Sequence, residues 1–417
     1  MSSSPGVSIL VSRVPIPSHI EESTARTWVD VDLGAIARNV RALRGRLPES
    51  CEVLMVVKAD AYGHGLEPVA RAARAAGVWG FGVAALDEAA RLRASGMKEP
   101  VVCLMPLLPA EAPRAIELSV VPAITSLGQA QAFDAAARAA GRRLDVHADV
   151  DTGMGRTGAW DRDAVDLIER LAKLPGLRVT GIFTHFSSAD EPEREPTERQ
   201  MDRFDAVLAE LDSRGVRVDC VHAANSAAAL RFARASRLVG GRGGGRVLVR
   251  PGIAVYGAAG GIAPDADDEE WRTAEGVGPP PFAPALSWHA RVLAVKELVA
   301  GDPVSYHRSY IARKPERIAV LGVGYADGWP LSLSNRGHVL LRGRLAPIRG
   351  AVCMDLTMVD ATPHADLQPG ETATLIGEQA GMRQSVEDVA AEAGEIAYSI
   401  LTRIGPRVRR RAMEVPE

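Results

Sequence analysis

Residues 52–65 read EVLMVVKADAYGHG: five apolar residues carry the chain to Lys58, and polar residues and glycines follow at once. A lysine at the end of such a run most often reaches into solvent. The alternative is chemical, because burial and a cationic neighbour disfavour the ammonium and leave a neutral amine able to condense with a carbonyl. Comparable apolar runs also end in polar residues. Asp149, Asp151 and Arg156 surround the end of LDVHADV, His185 stands in VTGIFTHF, Asn225 and Ser226 follow DCVHAA, and Arg250 and Gly252 stand at RVLVRP.

The segments ANSA and RPGIAVYG combine glycine with short amide and hydroxyl side chains, which leave backbone N–H groups open to an anion such as phosphate. Either segment alone is ordinary loop chemistry. Taken with Lys58 they point to a phosphate-bearing aldehyde cofactor, and pyridoxal phosphate fits. GGRGGGR at 240–246 lacks the G-K-[ST] ending of a nucleotide-binding loop and reads as a flexible connection. His64, His147, His185 and His222 lie near the ends of apolar runs without H-E-x-x-H or paired-cysteine spacing, so we expect core or hydrogen-bonding histidines and no metal.

Such residues need a frame that brings run ends together. From residue 50 to 250 a short apolar run, a polar end and an alanine-rich amphipathic segment recur as a βα repeat. The predicted strands are 52–57, 79–85, 100–105, 120–125, 144–150, 179–186, 219–224 and 246–251. Eight units favour a closed (β/α)8 TIM-type barrel, whose chemistry collects at the C-terminal ends of its strands. Helical spacing is clear in GLEPVARAARAAG (65–77) and MDRFDAVLAELDSRG (201–215), each ending in glycine.

The pattern changes at 257–285, rich in Gly, Pro and acidic residues. Alternating stretches with Gly and Pro turns then predict a mainly β domain. The reading is an α/β protein with an N-terminal extension (1–24), a barrel (25–262), a linker or insertion (263–285) and a C-terminal β domain (286–417). TWVDVDL, a strand at about 27–33, alternates too and fits a strand that joins the β domain.

With 417 residues, 47% hydrophobic, 24% charged and a net charge of -3, the chain has no general attraction to nucleic acid. Its basic run RVRRR (407–411) reads as a solvated tail. Cys51, Cys103, Cys220 and Cys353 are too far apart for a C-x-x-C pair and predict a reduced, cytoplasmic protein. VSILV, in the first 24 residues, is too short for a signal peptide or a membrane span.

In order along the chain, VVKADAYGHG, DVDTGMGRTG, GIFTHFSSAD, HAANSAAALR, VRPGIAVYG, GDPVSYHRSY, GVGYADGWP and GAVCMDLTMVD resemble the alanine racemase family from about residue 27 to the C-terminus. The resemblance implies a homodimer interconverting L- and D-alanine, with D-alanine supplied to peptidoglycan. It implies that Lys58 holds pyridoxal phosphate as an imine and serves as base on one face of the substrate Cα. Tyr306, reaching over from the β domain of a partner subunit, serves the other face. By the same match Tyr62, Ser226, Gly252 and Ile253 hold the phosphate beside Asn225, His185 supports the ring, and Arg250 meets the pyridine nitrogen. Arg156 addresses the phenolic oxygen and the substrate carboxylate, Met354 binds that carboxylate, Tyr325 narrows the entrance, and Asp149 and Asp355 support these groups.

Three positions depart from the family pattern. Many relatives carry a carbamylated lysine where this chain has Asp149, so we expect a carboxylate to supply that charge directly and to meet Arg156. His307 replaces a glycine, and Pro406 replaces a tyrosine before the RVxR segment. Loss of that tyrosine leaves serine or a larger amino acid open as substrate. A non-catalytic pyridoxal phosphate carrier is the reading from another class, and the whole β domain with Tyr306 argues against it.

Overall fold

All eight predicted barrel runs are strands in a computed structural model that describes residues 25–238, 245–258 and 282–413. The N-terminal extension, most of the 257–285 insertion and all but the last two residues of GGRGGGR lie outside the described residues. After β1 (Thr27–Asp32), the barrel strands are β2 (Cys51–Val56), β3 (Gly80–Val83), β4 (Val101–Pro106), β5 (Val121–Ile124), β6 (Leu144–Asp151), β7 (Leu177–Phe183), β8 (Cys220–His222) and β9 (Arg246–Val249). They pair in parallel from neighbour to neighbour, and Val247 opposite Cys51 closes the ring between β9 and β2.

Period-two alternation divides each strand between two cores. Leu54, Val102, Cys220 and Leu248 meet in one cluster, while Val53, Met55, Val101 and Val247 belong to the larger one shared with the helices. Burial on both faces is why the strands read as nearly continuous apolar runs. Each such Leu or Val contributes roughly 1.5–3 kcal/mol of transfer free energy.

The crossover helices include α2 (Leu66–Ala75), α3 (Leu86–Ala94), α4 (Ala112–Glu117), α5 (Leu127–Ala139), α6 (Asp161–Ala172), α7 (Glu195–Ser213) and α8 (Ser226–Arg231), while α1 (Leu33–Arg44) precedes β2. Among the described residues, β9 is followed by the short 3-10 turn Ile253–Tyr256 rather than by an α-helix. α1 lies against this turn, with the Asn39 amide donating to the carbonyls of Val255 (3.0 Å) and Ala283 (2.9 Å). Gly77 and Gly215 lie just past α2 and α7 at φ +84° and +73°, the left-handed values that end a helix cheaply only at glycine.

Three details differ from expectation, the first being that the basic run RVRRR, read as a solvated tail, leads into a strand (Arg409–Met413) paired with β1. α7 begins at Glu195, ahead of MDRFDAVLAELDSRG, because Pro196 sits comfortably in a first helical turn and Thr197 and Gln200 are buried along with Met201. β7 ends at Phe183, so His185 stands two residues past the strand, its carbonyl held by the Gln200 amide at 3.0 Å.

The C-terminal domain is built on β10 (Leu286–Leu298), β11 (Glu316–Leu321), β12 (His338–Leu341), β13 (Arg344–Pro347), β14 (Thr357–Asp360), β15 (Thr372–Gln379) and β16 (Arg409–Met413). β1 does join this sheet. It lies between β10, antiparallel with Thr27 opposite Ala290, and β16, parallel with Trp28 opposite Arg409. Among the described residues no helix is long and apolar enough to cross a membrane.

Candidate active site

β2 delivers Lys58 into a one-turn helix of the wrong hand. Ala59, Asp60, Ala61 and Tyr62 all have φ between 53° and 55°. A left-handed turn costs an L-residue roughly 1–2 kcal/mol, so the surroundings must hold it. The Ala59 amide donates to Glu88 Oε1 (2.6 Å) and that of Leu66 to Asp60 Oδ1 (3.1 Å), while Arg91 pairs with Asp60 at 2.7 Å. Gly63 then passes so close to the Leu401 carbonyl that a Cβ there would sit 2.2 Å from its oxygen. The turn brings Lys58 and Tyr62 to the wall of one cavity of about 340 Å³ at the barrel mouth.

That cavity gathers the predicted cofactor residues: Lys58, Tyr62, Arg156, His185, Asn225, Ser226, Arg250, Gly252 and Ile253 all line it, as does Asp149. Burial, then the charges of Arg156 and Arg250, push the Lys58 amine down from its ordinary range against a weaker opposite pull from Glu88. The ammonium is thereby disfavoured, as the apolar run of β2 suggested.

At the far wall Ser226 Oγ accepts from the amides of Gly252 (2.9 Å) and Ala254 (3.3 Å), which leaves its own O–H to donate elsewhere. Asn225 caps α8 by accepting from Ala228 at 2.9 Å. Gly252 is glycine for space: a Cβ would lie 2.4 Å from the Tyr62 hydroxyl oxygen. Tyr62 stacks on Tyr256 with ring centroids 4.8 Å apart.

Arg250 is held from below. Its NH2 donates to the carbonyls of Thr184 (2.7 Å) and Ala223 (3.0 Å) and to His185 Nδ1 (3.2 Å), and NH1 donates to His222 Nδ1 (2.9 Å). A guanidinium only donates, so His222 must accept at Nδ1 and carry its proton on Nε2. That proton points to His147 Nδ1 at 2.9 Å, and His147 Nε2 in turn faces Cys220 Sγ at 3.7 Å. Burial and the Arg250 charge hold His222 far below its ordinary pKa, and burial leads in pushing His147 down to about 3. His185 is lowered to about 3 by burial and by Arg250, Arg156 and Lys58. All three are neutral hydrogen-bonding histidines. His147, Cys220 and His222 put possible ligand atoms within 4.8 Å of one another, but the ring nitrogens are engaged in this chain of contacts.

Asp149 feels the charge of Arg156, as expected, but its hydrogen bond goes elsewhere. Its Oδ2 accepts from the Thr157 hydroxyl at 2.9 Å, and among the described residues no ion pair joins it to Arg156. Asp149 is buried in β6 whereas Arg156 is exposed on the following loop, whose backbone is shaped by Asp151 accepting from the amides of Gly153, Met154 and Arg156. Burial raises the Asp149 carboxyl to about 6 against the opposing pulls of the Thr157 hydroxyl, Arg250 and Arg156.

The cavity also contains Tyr398 and Thr402 from the C-terminal domain, which sequence reasoning missed. IAYSILTR carries no spacing that sets Tyr398 apart, and only the contact with Tyr62, at 6.0 Å between rings, reveals it.

Tyr306, Tyr325, Met354 and Asp355 form a second group, apart from the first. Tyr306, Met354 and Asp355 line an open groove on the β domain that shares no lining residue with the Lys58 cavity. Tyr306, Met354 and Tyr325 are 65%, 52% and 43% exposed, high values for large apolar side chains. The predicted site residues therefore fall in two places, one group at the barrel mouth and another on the surface of the β domain.

Residues 31–260 match the family model for the alanine racemase N-terminal domain and residues 285–412 that for the C-terminal domain. The chain is similar to the alanine racemase of Halothermothrix orenii, 36% identical over 387 residues that cover 93% of this chain and 97% of the relative. Among solved structures it resembles the alanine racemase of D-cycloserine-producing Streptomyces lavendulae, with a TM-score of 0.82 at 34% identity, covering 94% and 98% of the two chains. It also resembles that of Bartonella henselae with covalently bound pyridoxal phosphate, at a TM-score of 0.77 and 29% identity over 93% and 100%.

Proposed function

The chain belongs to the alanine racemase family, and from that premise we propose that it interconverts L- and D-alanine with pyridoxal phosphate, using Lys58 of one subunit and Tyr306 of the partner subunit as bases on opposite faces of Cα. The observation that carries this reading is the division of the site residues into a buried cationic cavity holding Lys58 and an exposed surface bearing Tyr306.

The cavity suits the cofactor. Gly252 lets the Tyr62 hydroxyl approach where any Cβ would collide with it, and the Ser226 O–H beside them is left to donate, a donor set suited to phosphate. Lys58 would bind the aldehyde carbon, and Arg250 would face the ring nitrogen. When bound, pyridoxal phosphate supplies the electron-withdrawing system that acidifies the substrate Cα–H.

The side chains do the rest. Lys58, biased toward the neutral amine, takes or returns the Cα proton on its face. Tyr306 of the partner subunit does so on the opposite face, and delivery from the other side is what inverts the centre. Arg250, though lowered by burial to about 10, stays protonated at neutral pH and does not readily surrender a proton to the ring. That restrains the side reaction in which the amino group is lost. Arg156 faces the substrate carboxylate as a fixed cation, beside the backbone of Met354 of the partner subunit. We further propose a cytoplasmic homodimer that supplies D-alanine for peptidoglycan.

Loss of optical activity in a panel of L-amino acids, followed with the cofactor-loaded protein, tests the reading. Alanine is expected to turn over fastest; Lys58→Ala removes the activity, and Tyr306→Phe in deuterated water loses exchange from one enantiomer before the other. Faster turnover of serine than of alanine would favour a serine racemase, the second reading that Pro406 leaves open.

A further inference from the structure

We infer that Asp327 is a positioning residue for the neighbouring subunit's active site: its buried carboxylate fixes the Tyr325 turn and the Met354–Asp355 loop in the arrangement this chain presents to its partner. The inference rests on the shared-site reading above.

The Asp327 side chain is wholly buried and fully engaged. Oδ1 accepts from Arg26 NH2 and from Arg407 Nε, both at 2.7 Å; Oδ2 accepts from Arg26 NH1 at 3.0 Å and from the Gly324 amide at 2.9 Å. Both guanidiniums then reach the loop that carries Met354 and Asp355. Arg407 NH2 donates to Asp355 Oδ1 (2.6 Å) and to the Met354 carbonyl (3.4 Å), and Arg26 NH1 donates to the Asp355 carbonyl (3.3 Å) and the Gly322 carbonyl (2.6 Å).

Backbone bonds complete the clasp. The Tyr325 amide donates to the Cys353 carbonyl and that of Ala326 to the Met354 carbonyl, both at 3.0 Å. A Cβ at Gly324 would lie 2.3 Å from the Cys353 oxygen and 2.4 Å from that of Met354, so turn and loop touch backbone to backbone. Ser305 Oγ donates to the Ala351 carbonyl at 2.6 Å, which ties the residue before Tyr306 to the same loop. The Asp327 carbonyl also accepts from the Gly405 amide at 2.8 Å, anchoring the segment that carries Arg407.

The side chains of Tyr306, Tyr325 and Met354 are largely exposed on this chain, so their own packing does little to fix them. Their positions are set by the backbone beneath, and the backbone is set around one carboxylate shared by Arg26 and Arg407. Contacts placed this way tolerate little displacement, because a shift near 1 Å costs on the order of 100-fold in rate.

The test uses full-length, cofactor-loaded Asp327→Asn, which keeps the shape and removes the charge. Its kcat/KM for alanine is expected to fall on the order of 10- to 100-fold, with KM rising more than kcat falls. The absorbance of bound cofactor stays at its wild-type position, because the Lys58 cavity of the same chain is untouched. An unchanged KM overturns the inference. Hybrid dimers separate a role across the interface from a general structural one: mixing Asp327→Asn chains with Lys58→Ala chains creates one site that combines an intact Lys58 with an intact clasp. Recovery of activity with wild-type KM supports the inference, and hybrids that keep the raised KM overturn it. A parallel mixture of Lys58→Ala and Tyr306→Phe chains tests the shared site alone, and no recovery there removes the premise without reference to Asp327. Should Asp327→Asn not fold, Arg407→Gln, whose side chain is part-exposed, carries the same measurements with the same outcomes.

Discussion

Asp149 is a buried carboxyl facing a site of positive charge, and its titration has a definite sign. A folded-state pKa of about 6, against an ordinary value of 3.8, means that the folded chain favours the protonated form. That stabilisation is complete below the unfolded value and is lost as pH rises through about 6, about 3 kcal/mol in all. In cofactor-free protein the melting temperature of Asp149→Asn should therefore gain on that of the wild type as pH rises from 4 to 7; a gap independent of pH would refute the assignment. In loaded enzyme Asp149→Ala should raise the Kd for cofactor or the KM for alanine, and unchanged values would remove Asp149 from the site. At this scale the placement of the strand-end residues was legible in sequence. The cavity collects Lys58, Arg156, His185, Asn225, Ser226, Arg250 and Gly252, because residues that end barrel strands must converge, whereas Tyr62 and Ile253 came only from the family resemblance. The partner of Asp149 was not legible, since the choice between Arg156 and Thr157 depends on which side chain reaches a buried oxygen.

Among the elements, the turn after β2 is the one a local reading gets wrong. KADAY holds good helix formers and would be assigned an ordinary right-handed turn. Glu88 on α3, Arg91 beside it and the Leu401 carbonyl lie far along the chain, and they impose the opposite hand. Two substitutions should then differ in sign. Ala59→Gly relieves a left-handed alanine at an exposed position and is expected to stabilise the protein by about 1 kcal/mol. Gly63→Ala adds a Cβ against the Leu401 oxygen at φ +79° and should destabilise by more than that and loosen cofactor retention. Chemical denaturation with a cofactor-release assay measures both, and stabilisation by Gly63→Ala would show that the turn is not held as described. The barrel strands, by contrast, were legible because each is buried on both faces and bounded by glycine or polar residues.

For the whole molecule, the proposed shared site makes activity a property of association. Specific activity should fall on dilution in step with the dimer fraction measured by sedimentation; full activity in an isolated monomer would contradict the shared site. Domain order along the chain was legible from the change in pattern after residue 257, and the alternation of TWVDVDL pointed to the place of β1. Its neighbours there, β10 and β16, could not be read from one strand. Their register has a consequence for synthesis on the ribosome. β1 leaves the exit tunnel among the first described residues, yet both strands that flank it come from the C-terminal domain, and β16 is the last strand among the described residues. Until β10 has been made β1 waits with both edges unpaired, and until β16 has been made with one, a state prone to pairing with other chains. A chain that ends before Arg409 leaves β1 with one bare edge, an open strand able to pair with other chains.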